Sequence, residues 1–232
     1  AILAEVNQAC KEMNAWVKKH SLELLNQQKL VGLLGGDHST PLGLMQALAA
    51  RNQAFGILHI DAHADLRQAY EDFEFSHASI MYNALKIEQV SHLVQVGIRD
   101  YCEAELNLIN SDKRITTFFD RDIKQRQYEG ETWRNITDDI VDKLPQQVYI
   151  SFDIDGLDRK LCPHTGTPVP GGFEAEEVFY IFKKILDSGR RIVGFDLSEV
   201  GVSDSDWNSN VGARVLFKLC NLLVTSHTNG NI

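Results

Sequence analysis

The apolar run Ala54-Phe55-Gly56-Ile57-Leu58-His59-Ile60 stops abruptly at Asp61-Ala62-His63-Ala64-Asp65. A short run of branched and aromatic residues with polar residues beyond it reads as a strand buried on both faces. Five further runs have the same character: Leu30–Leu34, His92–Ile98, Arg114–Phe119, Gln147–Ile154 and Arg190–Leu197. Longer amphipathic stretches separate them. Ile136, Ile140, Val141 and Leu144 fall on one helical stripe, as do Val178, Phe182, Ile185 and Leu186. Alternating strand and helix implies βαβ units, an α/β fold, a mainly parallel sheet and right-handed crossovers. In such a sheet ligands bind outside the carboxyl ends of the strands. No repeat and no long Pro/Gly/Ser linker parts the chain, so residues 1–232 read as a single domain.

Three carboxyl ends carry unusual chemistry. The first run ends in Gly35-Gly36-Asp37-His38-Ser39, the second in Asp61-Ala62-His63-Ala64-Asp65, and the fifth in Asp153-Ile154-Asp155-Gly156-Leu157-Asp158. In an extended backbone, residues at i and i+2 point to one face, so Asp61, His63 and Asp65 are expected to converge, and likewise Asp153 with Asp155. Any one of these residues alone reads as a helix cap or a hydrogen-bonded loop residue. Four carboxylates within ~5 Å are harder to accommodate. Each like-charge pair costs roughly 3 kcal/mol at an effective dielectric of about 20. Protons or cations must relieve the repulsion, and Arg67, Arg159 and Lys160 are few. Two divalent ions would supply about +4 and balance it. A mixed carboxylate and imidazole set suits Mn²⁺ better than a thiolate-seeking metal. Two metals sharing a carboxylate hold water between them, about 3.5–4 Å apart, and make hydroxide available near neutral pH. Hydroxide is the nucleophile that a resonance-stabilised guanidinium carbon requires.

Composition excludes several classes, and an acidic chain would attract a cationic substrate weakly and from a distance. The chain has 232 residues, 44% hydrophobic and 24% charged, which are ordinary globular values. Lys+Arg number 23 against 32 Asp+Glu, a net charge of −9, so phosphate backbones are poor partners and no nucleic acid is expected. No run is long enough to span a membrane. Cys10, Cys102, Cys162 and Cys220 are scattered without a CxxC pair, which implies a reducing, cytoplasmic setting. The beginning of the chain shows no secretory pattern and no initiating Met.

The three motifs, Gly35–Ser39, Asp61–Asp65 and Ser151–Asp158, resemble the metal motifs of the ureohydrolases, the family of arginases, agmatinases and formiminoglutamases. The resemblance runs from about residue 30 to residue 224. It implies a three-layer αβα sandwich of the arginase/deacetylase kind, and two Mn²⁺ ions per subunit. By that resemblance His38, Asp61, Asp65 and Asp153 bind one ion, and Asp61, His63, Asp153 and Asp155 the other, with Asp61 and Asp153 bridging. Glu199, in Asp-Leu-Ser-Glu-Val, matches the glutamate that grips the substrate guanidinium, and His77, in Ser-His-Ala-Ser, the histidine that passes a proton to the leaving amine. Asp65 stands with His77 and Glu199 among the catalytic candidates. The stretches Asp65–Tyr70, Ser76–Met81 and Val96–Arg99 look most like agmatinases. The implied reaction converts agmatine to putrescine and urea. L-Arginine is the alternative, because Arg67 offers a partner for an α-carboxylate, and formiminoglutamate is third. A trimer or hexamer is expected by the same analogy.

Two departures stand out. Arg159 occupies a position where the family commonly has Pro. The N-terminal strand usual in the family is not found, so the N-terminal part is expected to be missing, or else a buried sheet edge is exposed. His59 shares a strand face with Asp61 but lies one step further into the sheet, and reads as a packed or supporting group. His20, His92, His164 and His227 have no partner motif. Trp16, Trp133 and Trp207 read as core or interface residues. A metal-binding subunit without turnover is the competing reading. A nucleotide-binding module lacks both GxGxxG and GxxxxGK[ST].

Overall fold

Each strand pairing in the computed structural model is parallel, and helices cover both faces of the sheet. The structure describes residues 2–51 and 54–228. In chain order the elements are α1 (Ile2–Asn26), β1 (Gly32–Leu34), α2 (Leu42–Ala49), β2 (Phe55–Ile60), α3 (Ile80–Ala84), β3 (Val90–Ile98), α4 (Glu103–Ser111), β4 (Ile115–Phe119), α5 (Asp120–Tyr128), α6 (Trp133–Asp142), β5 (Gln147–Asp153), α7 (Ala175–Asp187), β6 (Arg191–Ser198) and α8 (Trp207–Thr228). Single 3₁₀ turns cover His77–Ser79 and Ile154–Gly156.

The six strands lie in the order β1-β6-β5-β2-β3-β4. From β2 the chain steps outward to β3 and β4. From β5 it steps the other way to β6. Between β2 and β5 the order therefore reverses, and a crevice opens beyond their carboxyl ends. Strand alternation fills both outer layers. Leu58 and Ile60 of β2 join Ile136, Ile140, Val178, Ile185 and α8 residues on one face, while Phe55 and Ile57 join α1, α2 and α3 on the other. The α/β sandwich with a parallel sheet is as the sequence implied, and so are the two helical stripes, except that Leu144 is buried just beyond the end of α6 and Leu186 is only partly buried.

The expectation of strands buried on both faces fails at both edges of the sheet; in β4 only Ile115 is buried. The run Leu30–Leu34 does not form a strand buried on both faces. Its strand is only Gly32–Leu34, Leu30 is 39% and Leu34 63% exposed, and among the described residues it pairs with β6 alone. An edge strand is apolar here without being covered. Trp16, on α1, is 63% exposed and so lies outside the core. Trp133 does pack against the Phe173 ring.

Candidate metal centre

The sheet brings the three motifs to the carboxyl ends of β1, β2 and β5. Asp61 follows directly on β2 and Asp153 ends β5, the two strands flanking the crevice. His38 comes from the loop after β1. Gly35 N–H continues the β1–β6 ladder by donating to the Leu197 carbonyl, which carries this loop along β6 towards the centre. Glu199 follows β6, and its carboxylate Oε1 accepts the His38 backbone N–H at 3.0 Å.

The motifs converge by turns rather than by strand alternation, which corrects the i, i+2 reading. β2 ends at Ile60, and Asp61 Oδ1 accepts the His63 N–H at 2.6 Å. Asp65 adopts a left-handed φ of 54°, and its carbonyl receives the N–H groups of Met81 and Tyr82 at the start of α3. In the third motif Asp155 lies in a 3₁₀ turn whose N–H is accepted by Asp153 Oδ1 at 2.9 Å. Short carboxylates that fold their own backbone bring their free oxygens inward.

Those oxygens surround two imidazole nitrogens. His38 Nδ1 lies 3.1 Å from Asp61 Oδ2, 3.1 Å from Asp65 Oδ2 and 3.3 Å from Asp153 Oδ2. It is buried, yet it makes no hydrogen bond of acceptable geometry. Its other nitrogen, Nε2, is 2.9 Å from Ser151 Oγ. His63 Nδ1 lies 3.1 Å from Asp155 Oδ2 and 3.4 Å from Asp61 Oδ1. Asp61 thus turns one oxygen to each histidine, and Asp155 Oδ1 is held by the Ala62 N–H at 3.0 Å. Among the described residues, two sets are close enough to hold a cation: His38, His59, Asp61 and Asp65, and Asp61, His63 and Asp155. Asp153 touches the first through His38. Ser151, Asp196, Gln95 and Asp37 around the cluster were not singled out as site residues from sequence; Ser151 precedes Asp153 by two residues and pairs in register with Asp196, a placement legible only once β5 and β6 are known to be neighbours.

The electrostatics match this geometry. Burial raises the pKa of Asp153 well above the carboxylate range, and the charges of Asp155 and Asp61 raise it further. Burial and Asp61 raise Asp65 and Asp155. Burial also works against a charged Asp61, but His59, His38 and His63 overcome it and hold this carboxyl well below its ordinary value. For the imidazoles burial opposes the charged form, yet the carboxylates win: Asp153, Asp61 and Asp65 hold His38 well above 6.5, and Asp155 with Asp61 brings His63 to about 11. Four buried aspartates against three imidazoles, His38, His59 and His63, leave a dense set of like charges that protons or cations must relieve. An unpartnered imidazole nitrogen facing three carboxylate oxygens is the arrangement a divalent cation fits, and the donor set holds no thiolate.

The cluster opens into a cavity of about 250 Å³ lined by His63, Asp65, Arg67, Tyr70, His77, Asp100, Glu105 and the stretch Thr167–Val169. His77 Nδ1 stands 3.5 Å from Asp37 Oδ2, a contact that raises the histidine's pKa. Glu199 has a left-handed φ of 62°, and burial raises its carboxyl. Arg67 lies over the Tyr70 ring, 3.7 Å from the buried Glu105 carboxylate. Arg99 ties the third motif to the cavity wall, donating to the carbonyls of Asp155 at 2.6 Å and Val169 at 3.2 Å.

Known proteins share this architecture. The Arginase family model matches residues 4–221. The chain is 35% identical over 190 residues to the N(1)-aminopropylagmatine ureohydrolase of Thermus thermophilus, covering 82% of this chain and 61% of that protein. It is 33% identical over 208 residues to the agmatinase of Neisseria meningitidis, covering 88% and 62% respectively. The chain thus spans about three-fifths of the length of these relatives. Among solved structures, the proclavaminate amidino hydrolase of Streptomyces clavuligerus superposes with a TM-score of 0.76 at 25% identity, over 91% of this chain and 70% of that one. The parallel sheet, the three motifs at its carboxyl edge and a family match running through nearly the whole sequence make this chain a member of the arginase family.

Proposed function

We propose that this protein hydrolyses a guanidino compound to urea at a pair of manganese ions, with agmatine as the preferred substrate. The observation that carries the reading is the buried His38 Nδ1, without a hydrogen-bond partner and faced by carboxylate oxygens of Asp61, Asp65 and Asp153, of which Asp65 also lines the cavity. His38, Asp61, Asp65 and Asp153 would hold one ion, and Asp61, His63, Asp153 and Asp155 the other. Bound there, the metals supply Lewis acidity that makes water a nucleophile near neutral pH.

The rest of the chemistry belongs to side chains. Glu199 Oε1 is engaged by the His38 N–H, which leaves the second oxygen to accept a guanidinium N–H and orient the carbon. His77, kept basic by Asp37, stands at the cavity wall where it can hand a proton to the departing amine. The substrate tail lies towards Asp100, Glu105 and Arg67. Glu105 offsets the Arg67 charge, so the wall is acidic on balance and favours an ammonium over a carboxylate. The names of the relatives support the same chemistry, since agmatine and aminopropylagmatine both end in an amine. Arginine is the second reading, carried by Arg67 at this wall.

Purified protein with Mn²⁺ is expected to release urea from agmatine faster than from arginine, and Asp153→Asn to lose both metal retention and turnover. Normal turnover by Asp153→Asn would contradict the proposal.

A further inference from the structure

His59 and Gln95 are fully buried neighbours across the β2–β3 pair. His59 Nε2 lies 2.8 Å from Asp61 Oδ2, and His59 Nδ1 lies 3.0 Å from Gln95 Nε2. The same Gln95 nitrogen is 2.7 Å from the Ala64 carbonyl oxygen, and Gln95 Oε1 accepts the Thr117 hydroxyl at 2.9 Å. A carbonyl only accepts, so the Gln95 atom that faces Ala64 is the amide NH₂. That fixes which way the side-chain amide points. An NH₂ only donates, so His59 Nδ1 must be the acceptor. The proton of the neutral ring then sits on Nε2 and is aimed at Asp61 Oδ2. A ring nitrogen that donates its proton in this way has no lone pair for a metal, so His59 supports the cluster without belonging to it, although its distance alone would admit it.

We infer that Gln95, acting through His59, is a positioning residue for Asp61. One amide grips the second motif at two points, the His59 ring before Asp61 and the Ala64 carbonyl after His63. The Nε2–H of His59 fixes the Oδ2 side of the Asp61 carboxylate, while the His63 N–H fixes Oδ1. Asp61 therefore presents one oxygen to each half of the cluster without having to choose a rotamer on binding. The relay crosses three strands, from Thr117 on β4 through Gln95 on β3 to β2. Partners that orient a ligating group typically change metal affinity about 10–100-fold when removed. The inference rests on the cluster being a metal centre.

Three variants of the full chain test it: Gln95→Met, Gln95→Glu and Thr117→Val. Nitrogen-15 NMR of the histidine rings in metal-free protein reads the His59 tautomer, and calorimetry reads Mn²⁺ affinity. In wild-type protein the His59 proton is expected on Nε2. In Gln95→Glu, which offers an acceptor in place of a donor, it is expected on Nδ1. Mn²⁺ affinity is expected to fall about 10–100-fold in Gln95→Met. Should Gln95→Met not fold, Thr117→Val, which frees the far end of the relay, is expected to weaken Mn²⁺ several-fold. A wild-type proton on Nδ1, or affinity within twofold of wild type in a folded Gln95→Met, overturns the inference. Wild-type protein that takes up no Mn²⁺ overturns the metal reading instead, and the tautomer still decides whether the relay exists.

Discussion

At the scale of single residues, four of the acidic side chains divide two jobs between their two oxygens. Asp61 serves both histidines, Asp153 and Asp155 each spend one oxygen on the backbone, and Glu199 spends one on His38. Glu199→Gln separates these jobs. Its amide oxygen can still accept the His38 N–H, but the charge that would meet a guanidinium is gone. Hydrogen bonds to charged groups contribute about 1.5–3 kcal/mol, so kcat/KM for agmatine is expected to drop about 10–150-fold. Metal content should be unchanged, and steady-state kinetics beside metal analysis checks both. The ligand candidates themselves were legible as residue types at set spacings. Their supporting partners were not: Gln95, Ser151 and Asp196 sit inside apolar strands, where only pairing of distant segments reveals what they touch.

At the scale of elements, the strands were legible because buried parallel strands are continuous apolar runs. Their ends were not, because turn geometry and not alternation brings Asp153 and Asp155 together. The edge position of β1 was also hidden, since Leu30–Leu34 is as apolar as a central strand. Arg99 shows what an element-level tie does here. It joins the third motif to the loop around Val169 through backbone carbonyls alone. Arg99→Met would leave those acceptors without a donor, at about 1–3 kcal/mol each. We expect a loss of about 2–5 kcal/mol in denaturant unfolding of the metal-free protein. A second tie lies far from the cluster. Arg114 donates to Asp112 and to the Leu85 carbonyl, fastening the start of β4 to the segment after α3. The Arg114 hydrogen bond holds the Asp112 carboxyl below its usual 3.8. Between the folded and unfolded values the unfolded chain binds the extra proton, so this contribution is present above the unfolded value and is lost as pH falls through the folded one. Asp112→Asn is expected to lower Tm at pH 7, with the gap from wild type narrowing below about pH 4. A gap that stays constant into acid would contradict this.

At the scale of the whole molecule, the reversal of strand order between β2 and β5 decides where chemistry can happen. It opens one crevice, and motifs separated by more than a hundred residues in sequence meet there. The chain carries a net charge of −9, and Asp65, Asp100 and Glu105 line the cavity, which is the electrostatic setting the proposed cationic substrate calls for. Among the described residues no helix is long and apolar enough to cross a membrane. The central claim is that acidic and imidazole groups from separate strands form one cage for paired ions. The most direct test is a crystal of the protein grown with Mn²⁺ and measured near the manganese absorption edge. Two anomalous peaks are expected, one against His38 Nδ1 and one against His63 Nδ1, with Asp61 between them. A map with no peak at the ends of β2 and β5, or with manganese held only elsewhere on the surface, would contradict it.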